Sequence, residues 1–142
     1  MSDAPLRAER IRCAEVPDGP AATWSNGWRI GHELVMSGMT AHPASREAAA
    51  RGAPLGAYEQ TLVVLGKLEA LVSAAGGSRR HINKTVVYVT DIADKDEVGR
   101  ARRDFFGKDY PCATLVGVSA LVFPELRVEI DAWARLDAPL GD

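Results

Sequence analysis

The sequence predicts an α+β fold in which a mixed β-sheet of about six strands carries two helices on one face. Three observations lead to this expectation. Short β-forming segments lie towards both ends of the chain, two amphipathic helical segments lie between them, and one strongly β-forming segment separates the two helices. The chain has 142 residues, the usual length of one domain, so we expect residues 1–142 to form a single domain.

The N-terminal third contains three strand candidates and one long loop. The strands are expected at residues 8–14, 24–30 and 33–40. Gly31 and His32 lie between the last two and predict a hairpin turn. Residues 41–56 are rich in alanine, proline, glycine and arginine, which predicts a surface loop with room for a short helix at 45–50. Loops of this length in compact domains are often functional.

The clearest helix is expected at residues 58–75. Apolar side chains recur there at steps of three and four residues and form one stripe: Leu62, Leu65, Leu68, Val72 and Ala75. Gly76 and Gly77 are expected to end this helix, because glycine readily adopts the left-handed conformation found at helix C-termini.

One strand, a second helix and two final strands complete the predicted sheet. The strands are expected at residues 82–92, 113–121 and 126–136. Asp94 and Glu97 have the spacing of a capping box, so the second helix is expected to begin there and to stop at Gly107. Residues 123–125 are expected to form the turn between the last two strands.

The central strand at residues 82–92 is apolar on both faces. Val86 and Tyr88 point to one side, and Val87 and Val89 point to the other. Two helices can cover only one face of the sheet. The sequence therefore predicts that the second face is covered by self-association.

Composition excludes several classes of function. The net charge of -2 and the pI near 5.9 leave no basic surface for a phosphate backbone, so we expect no nucleic-acid partner. The apolar runs are too short for a membrane span and the N-terminus lacks a signal peptide, which favours a cytoplasmic protein. Cys13 and Cys112 are expected to be reduced thiols, although one disulfide between them is formally possible.

The residues show no strong catalytic motif, no phosphate loop and no metal-ligand pattern. The three histidines fall in turns or loops, so we expect neither a metal nor a cofactor. Glu129 is the best single candidate, because a carboxylate between Val128 and Ile130 is paired, functional or on a solvated strand face. Cys112 and Trp24 are further candidates, and their alternative roles are a buried thiol and core packing.

Five segments in order resemble the Rid (reactive intermediate deaminase) family, also called the YjgF or endoribonuclease L-PSP family. They are Leu34-Val35-Met36-Ser37-Gly38-Met39, the helix from Gln60 to Ala74-Ala75-Gly76, Ile82-Asn83-Lys84-Thr85-Val86-Val87-Tyr88-Val89-Thr90-Asp91-Ile92, Phe105-Phe106 with Tyr110-Pro111, and Val128-Glu129-Ile130-Asp131-Ala132-Trp133-Ala134. The resemblance spans about residues 24–134, most of the chain.

The resemblance implies a chorismate-mutase-like α+β sheet, a homotrimer with small-molecule clefts between subunits, and hydrolysis of enamines or imines without a cofactor. Some family members have been described as ribonucleases or translation inhibitors. Carried over by position, Glu129 matches the catalytic glutamate, Ser37 and Gly38 match the pair that lines the cleft, and Trp24 stands where a tyrosine is usual. The glutamate would position the attacking water or shuttle its proton.

Three departures from the family pattern affect substrate binding. The segment Pro111-Cys112-Ala113-Thr114 places Ala113 at the carboxylate-binding arginine, Gly99 replaces an asparagine, and Met39 replaces a glutamine. Alanine cannot form a bidentate pair with a carboxylate. We therefore expect that the protein is not the usual 2-imino-acid deaminase. Arg127 is placed on the same strand and face as Glu129, where it either supplies the missing cation or is an exposed strand charge.

The sequence thus predicts a protein that processes a small enamine- or imine-type metabolite. The alternative is a trimer that binds a metabolite for regulation without turnover, and the acidic pI argues against a ribonuclease. The predicted catalytic residue is Glu129. The predicted substrate-binding residues are Trp24, Ser37, Gly38, Gly99, Cys112, Ala113, Thr114 and Arg127.

Overall fold

A computed structural model describes residues 4–141 and contains six strands and three α-helices in that range. The strands are β1 (Ala8–Arg10), β2 (Gly27–Ile30), β3 (Glu33–Met39), β4 (Ile82–Val89), β5 (Cys112–Gly117) and β6 (Val128–Arg135). The helices are α1 (Ala44–Ala50), α2 (Ala57–Ala74) and α3 (Lys95–Phe106). Single 3-10 turns at Arg79–His81 and Ile92–Asp94 precede β4 and α3.

The six strands form one mixed sheet in the order β1-β2-β3-β6-β4-β5. Only β4 and β5 run parallel, and α3 makes the crossover between them. The last strand of the chain, β6, lies antiparallel between β3 and β4 at the centre of the sheet. β6 therefore has a strand on each side, and its side chains alternate between the two faces near the centre of the sheet.

The hydrophobic core lies between one face of the sheet and the two long helices. Leu65 and Leu68 of α2 pack there with Val87 of β4 and Ile130 of β6, and all four are fully buried. Burial of such side chains contributes about 1.5–3 kcal/mol each. The predicted α+β sheet with two helices on one face is therefore confirmed, and α1 is the short helix expected within residues 41–56.

Three of the predicted strands are longer than the observed ones. The strand expected at 8–14 is only Ala8–Arg10, the strand expected from residue 24 begins at Gly27, and β5 ends at Gly117 rather than at residue 121. In the first case Ile11 donates its N–H to the Gly27 carbonyl, and the chain then leaves the sheet through a turn closed by Val16 and Cys13. Isolated apolar residues in these loop segments also pack against the rest of the protein. Alternation of apolar and polar residues alone does not distinguish such a loop from a strand.

The predicted capping box at Asp94 and Glu97 was wrong. Asp94 makes no side-chain cap at the start of α3, and Glu97 pairs instead with Arg100. Asp91 caps the preceding 3-10 turn by accepting a hydrogen bond from the Ala93 N–H. The Asp94 carboxylate is used in an ion pair with Arg127. The acidic residues of this segment thus serve a 3-10 turn and a tertiary contact.

The second face of the sheet has no helix over it in residues 4–141. We call it the open face. Val35 of β3 and Val116 of β5 are 41% and 40% exposed there, and Trp133 of β6 lies between Val35 and Lys84 in register. The open face also carries charged residues, including Glu33 and Arg135, which pair with each other.

Candidate functional site

A β-bulge in β3 creates the centre of the candidate site. The register between β3 and β6 shifts between Met36 and Met39, so Ser37 and Gly38 form the irregular stretch. A β-bulge re-aims side chains and often lies next to a functional site. On β6, Glu129 and Asp131 point to the open face, because Val128, Ile130 and Ala132 are fully buried on the other side.

Glu129 and Asp131 converge on Gly38. A methyl group added at Gly38 would lie 2.6 Å from Glu129 Oε1 and 2.8 Å from Asp131 Oδ1. Real Cβ atoms do not approach other atoms this closely, so a side chain at position 38 would displace the two carboxylates. Gly38 therefore allows the acidic side chains to lie where they do.

The local environment makes Glu129 a stronger base than an ordinary glutamate. Partial burial raises the pKa of Glu129, and the neighbouring charge of Asp131 raises it further. The Tyr88 hydroxyl donates a 2.9 Å hydrogen bond to Asp131 Oδ2, which raises the pKa of Tyr88. Two carboxyl groups with different environments are typical of acid–base sites.

A cavity of about 400 Å³ lies against Glu129. Its lining consists of Trp24, Ser37, Gly38, Thr40, Val122 and Glu129. Trp24 is 61% exposed, so the alternative of core packing was wrong for this residue. Ser37 is fixed at the cavity wall, because its hydroxyl donates to the Ser25 carbonyl and its N–H donates to the Asn26 carbonyl.

A second cavity of about 360 Å³ continues from the first and shares Trp24, Gly38, Thr40 and Val122 with it. Lys67 reaches this cavity from α2 and donates hydrogen bonds to the carbonyls of Thr40 (2.8 Å) and His42 (2.6 Å). Burial lowers the pKa of Lys67. The sequence analysis missed Lys67, although a single lysine in a mostly apolar helix was an available signal.

Gly99 and Ala113 lie in a different cavity, on the helix side of the sheet. This cavity has a volume of about 340 Å³, and its wall includes Thr85, Phe106 and Tyr110. Ala113 is opposite Thr85 in the parallel β4–β5 register, whereas Glu129 is opposite Tyr88 on the open face. Within one chain, the structure therefore places Glu129 and Ala113 on opposite faces of the sheet.

The interpretation of Arg127 as a cation beside Glu129 was wrong. Arg127 precedes β6 and makes a bidentate pair with Asp94, with distances of 2.9 Å from Nε to Oδ2 and 3.0 Å from Nη2 to Oδ1. This pair raises the pKa of Arg127. Its backbone N–H also donates to the buried Gln60 side chain. Arg127 fixes the start of β6 to the segment before α3.

Cys112 and Thr114 lie on the open face of the edge strand β5. Cys112 is exposed, so the alternative of a buried thiol was wrong. The Lys84 ammonium donates a 3.0 Å hydrogen bond to the Thr114 hydroxyl. Both cysteines are free, and Cys13 donates to a Glu15 carboxylate oxygen. In residues 4–141 no cluster of three or more potential metal ligands occurs, and no helix is both long and apolar enough to cross a membrane.

Comparisons with known proteins agree with this fold. The family described as Endoribonuclease L-PSP matches residues 15–136. The RutC family protein y4sK of Sinorhizobium fredii is 33% identical over 130 residues, which cover 90% of this chain and 98% of that protein.

Solved structures give the same result. The protein of unknown function PA3499 from Pseudomonas aeruginosa is 60% identical with a TM-score of 0.94, covering 96% of this chain and 98% of that chain. The YjgF gene product of E. coli is 26% identical with a TM-score of 0.77, covering 89% and 98%. The mixed six-stranded sheet with helices on one face is thus a YjgF-type fold. The chain belongs to the endoribonuclease L-PSP family, also called the Rid or YjgF family.

Proposed function

We propose that this protein hydrolyses or otherwise processes a small enamine- or imine-type metabolite in clefts between the subunits of a homotrimer. The observation that carries the proposal is the carboxyl of Glu129, which is partly buried at the bulge, has a raised pKa and faces a cavity of about 400 Å³. A carboxyl poised in this way can take a proton from water and return it to a departing amine.

The reaction follows from these groups without a cofactor. Water adds to the carbon of the C=N bond while Glu129 accepts one of its protons, and Glu129 then donates that proton to the nitrogen to give the carbinolamine. Glu129 next takes the proton of the carbinolamine hydroxyl and returns it to the nitrogen, so that the C–N bond breaks and a carbonyl compound and ammonia are released. Ser37, Gly38 and Trp24 shape the cavity in which the C=N bond would lie.

The proposal of a cleft between subunits rests on the fact that the site residues form two groups on opposite faces of the sheet. Glu129 faces the open side of the sheet, and Gly99 and Ala113 face the helix side. One small ligand can contact both groups only if a second chain packs its helix-side cavity against the open face of the first. The exposed apolar residues of the open face favour such packing.

The substrate differs from the short 2-imino acids that the family resemblance implies. Ala113 stands at the position of the carboxylate-binding arginine, and Gly99 stands at the position of an asparagine. Gly99 has open space around it, since an added methyl group would have no neighbour within 4 Å, and Ala113 lines the same cavity. We therefore propose a bulkier substrate, or one whose acidic group lies elsewhere.

Ammonia release from a panel of freshly generated enamines and imines tests the proposal, with a Rid protein that has the arginine as positive control. We expect at least one compound to be turned over, and Glu129→Gln to lower its rate about 10²- to 10⁴-fold, because general acid–base catalysis contributes this much. Glu59→Gln, on the first turn of α2, is the matched control and should keep the wild-type rate.

The second candidate function is binding of a metabolite without turnover, which the absence of an arginine at position 113 favours. It would be supported by a compound that binds in the Glu129 cavity while no member of the panel releases ammonia. An unchanged rate in Glu129→Gln on a substrate that wild type consumes would show that the proposed mechanism is wrong.

A further inference from the structure

Arg102 is a half-buried arginine with no partner. It lies on α3, and within residues 4–141 its guanidinium makes no hydrogen bond, ion pair or ring contact. Burial lowers the pKa of Arg102, and no nearby acceptor offsets this cost. Several other arginines of the described chain are paired, for example Arg79 with Glu69, Arg100 with Glu97 and Arg127 with Asp94.

The same arginine lines the cavity that contains Gly99 and Ala113. Arg102 follows Gly99 by three residues, so both lie on one side of α3 and face β5. Ala113 has only a methyl group and Gly99 has no side chain, which leaves the cavity of about 340 Å³ open in front of the guanidinium. Phe106 and Tyr110 supply an apolar wall, and Arg103 lies at the exposed side.

We infer that Arg102 binds a carboxylate group of the ligand in this cavity. A guanidinium presents two parallel N–H groups that match the two oxygens of a carboxylate. The cation thus comes from α3 rather than from β5, on the opposite wall of the same cavity from Ala113. This inference deepens the proposed function and rests on it only for the identity of the ligand as a substrate.

In the described chain, the lysines and the arginine considered so far on the Glu129 side of the sheet already have hydrogen-bond partners. Lys67 is bound to two backbone carbonyls and Lys84 to Thr114, while Arg127 is bound to Asp94. Glu129 and Asp131 would repel an anion there, which favours a substrate that directs its acidic end away from them. Arg102 is therefore a specificity-determining residue, and Glu129 remains the acid–base group.

Binding of 2-oxohexanoate, a longer oxo acid, and of its methyl ester, measured by titration calorimetry, tests the inference without requiring turnover. The ester lacks the negative charge and carries one additional methyl group. We expect wild type to bind the acid at least about tenfold more tightly than the ester, since a hydrogen bond to a charged group contributes this much. Arg102→Met should lose the preference, and the exposed Arg51→Met should keep it.

A double variant tests whether the preference for the acid can be restored as well as lost. Arg102→Met combined with Ala113→Arg should regain a preference for the acid, because the new arginine enters the same cavity. Arg102→Met should also melt no lower than wild type and keep its sedimentation coefficient, because it removes an unpaired, desolvated charge.

Equal binding of acid and ester by wild type, including no binding of either at millimolar concentration, would overturn the inference. A preference that persists in Arg102→Met would do the same, as would dissociation of that variant into smaller species, which would assign Arg102 to a subunit contact. Glu129→Gln should keep the acid preference. Loss of turnover with the preference intact would therefore reject the proposed function alone.

Discussion

Gly38 shows how one residue sets the geometry of the candidate site. Its missing side chain leaves the space into which Glu129 and Asp131 extend, and the Tyr88 hydroxyl holds Asp131 from the other side. The two carboxylates are side-chain ends and not backbone, so they can move aside at little cost. A larger residue at position 38 would therefore disturb the chemistry more than the fold.

For this reason we predict that Gly38→Ala lowers turnover or ligand affinity about tenfold to a hundredfold, because a displacement of the acid–base group by about 1 Å has effects of this size. The free energy of unfolding should change by less than about 1 kcal/mol, since alanine also restricts the unfolded chain. Activity assays and denaturant unfolding of the same preparation measure the two quantities.

Gly66→Ala is the matched control on the exposed side of α2, where an added methyl group meets nothing within 4 Å. It should stabilise the protein by about 0.5–1 kcal/mol, the difference between the two residues in a helix, and leave activity unchanged. If the loss of activity in Gly38→Ala were fully explained by a lower free energy of unfolding, Gly38 would instead be a purely structural residue.

Several elements could be predicted from the sequence, and the failures have physical causes. Periodicity located α2, α3 and β6, because their apolar residues follow the helix or strand repeat over many positions. The capping box failed because Asp94 has a stronger partner in Arg127, which is 33 residues away and invisible to a local pattern. The family resemblance selected Glu129, whereas the roles of Lys67 and Arg102 depend on which cavity each side chain enters.

The pair between Arg127 and Asp94 connects the start of β6 to the segment before α3. Asp94 is 13% exposed and Arg127 43% exposed, so solvent screens the pair only in part. We predict that Arg127→Met lowers the free energy of unfolding by about 1–2 kcal/mol, because it leaves the Asp94 carboxylate without its charged donor. Denaturant unfolding measures this change.

The same variant tests whether Arg127 takes part in binding. The affinity of Arg127→Met for the oxo acid should stay within a factor of two of the wild-type affinity (about 0.4 kcal/mol). Lys95→Met is the control, since Lys95 and Asp96 form an exposed pair at 3.7 Å and should contribute less than about 0.5 kcal/mol. A loss of affinity in Arg127→Met with unchanged stability would return Arg127 to the binding site.

At the scale of the whole molecule, the open face connects the proposed assembly with the candidate site. Val35 and Trp133 lie side by side on it, near a cavity of about 360 Å³ that also includes Lys84. Water contact with such a surface is unfavourable, and contact with other subunits would bury it. The fold and the family were predictable from the sequence, but the two-sided arrangement of site residues was visible only in the strand register.

We predict that the protein sediments as a homotrimer, with about three times the chain mass of 15.2 kDa. Trp133→Glu should shift the protein to smaller species, because a charge would be buried in the apolar contact. Ile92→Glu is the control, since Ile92 is 55% exposed in the 3-10 turn before α3. A wild-type monomer by analytical ultracentrifugation would contradict the proposal that clefts form between subunits.

The most direct test of the proposed site compares wild type with Ala113→Arg in ammonia release from a short, freshly generated 2-imino acid. We predict that wild type is slow on this compound and that Ala113→Arg is at least about tenfold faster, because the variant supplies a carboxylate partner at the position where the family has an arginine. A wild-type rate equal to that of an arginine-containing Rid protein, with no gain in Ala113→Arg, would contradict the proposal that position 113 sets the substrate.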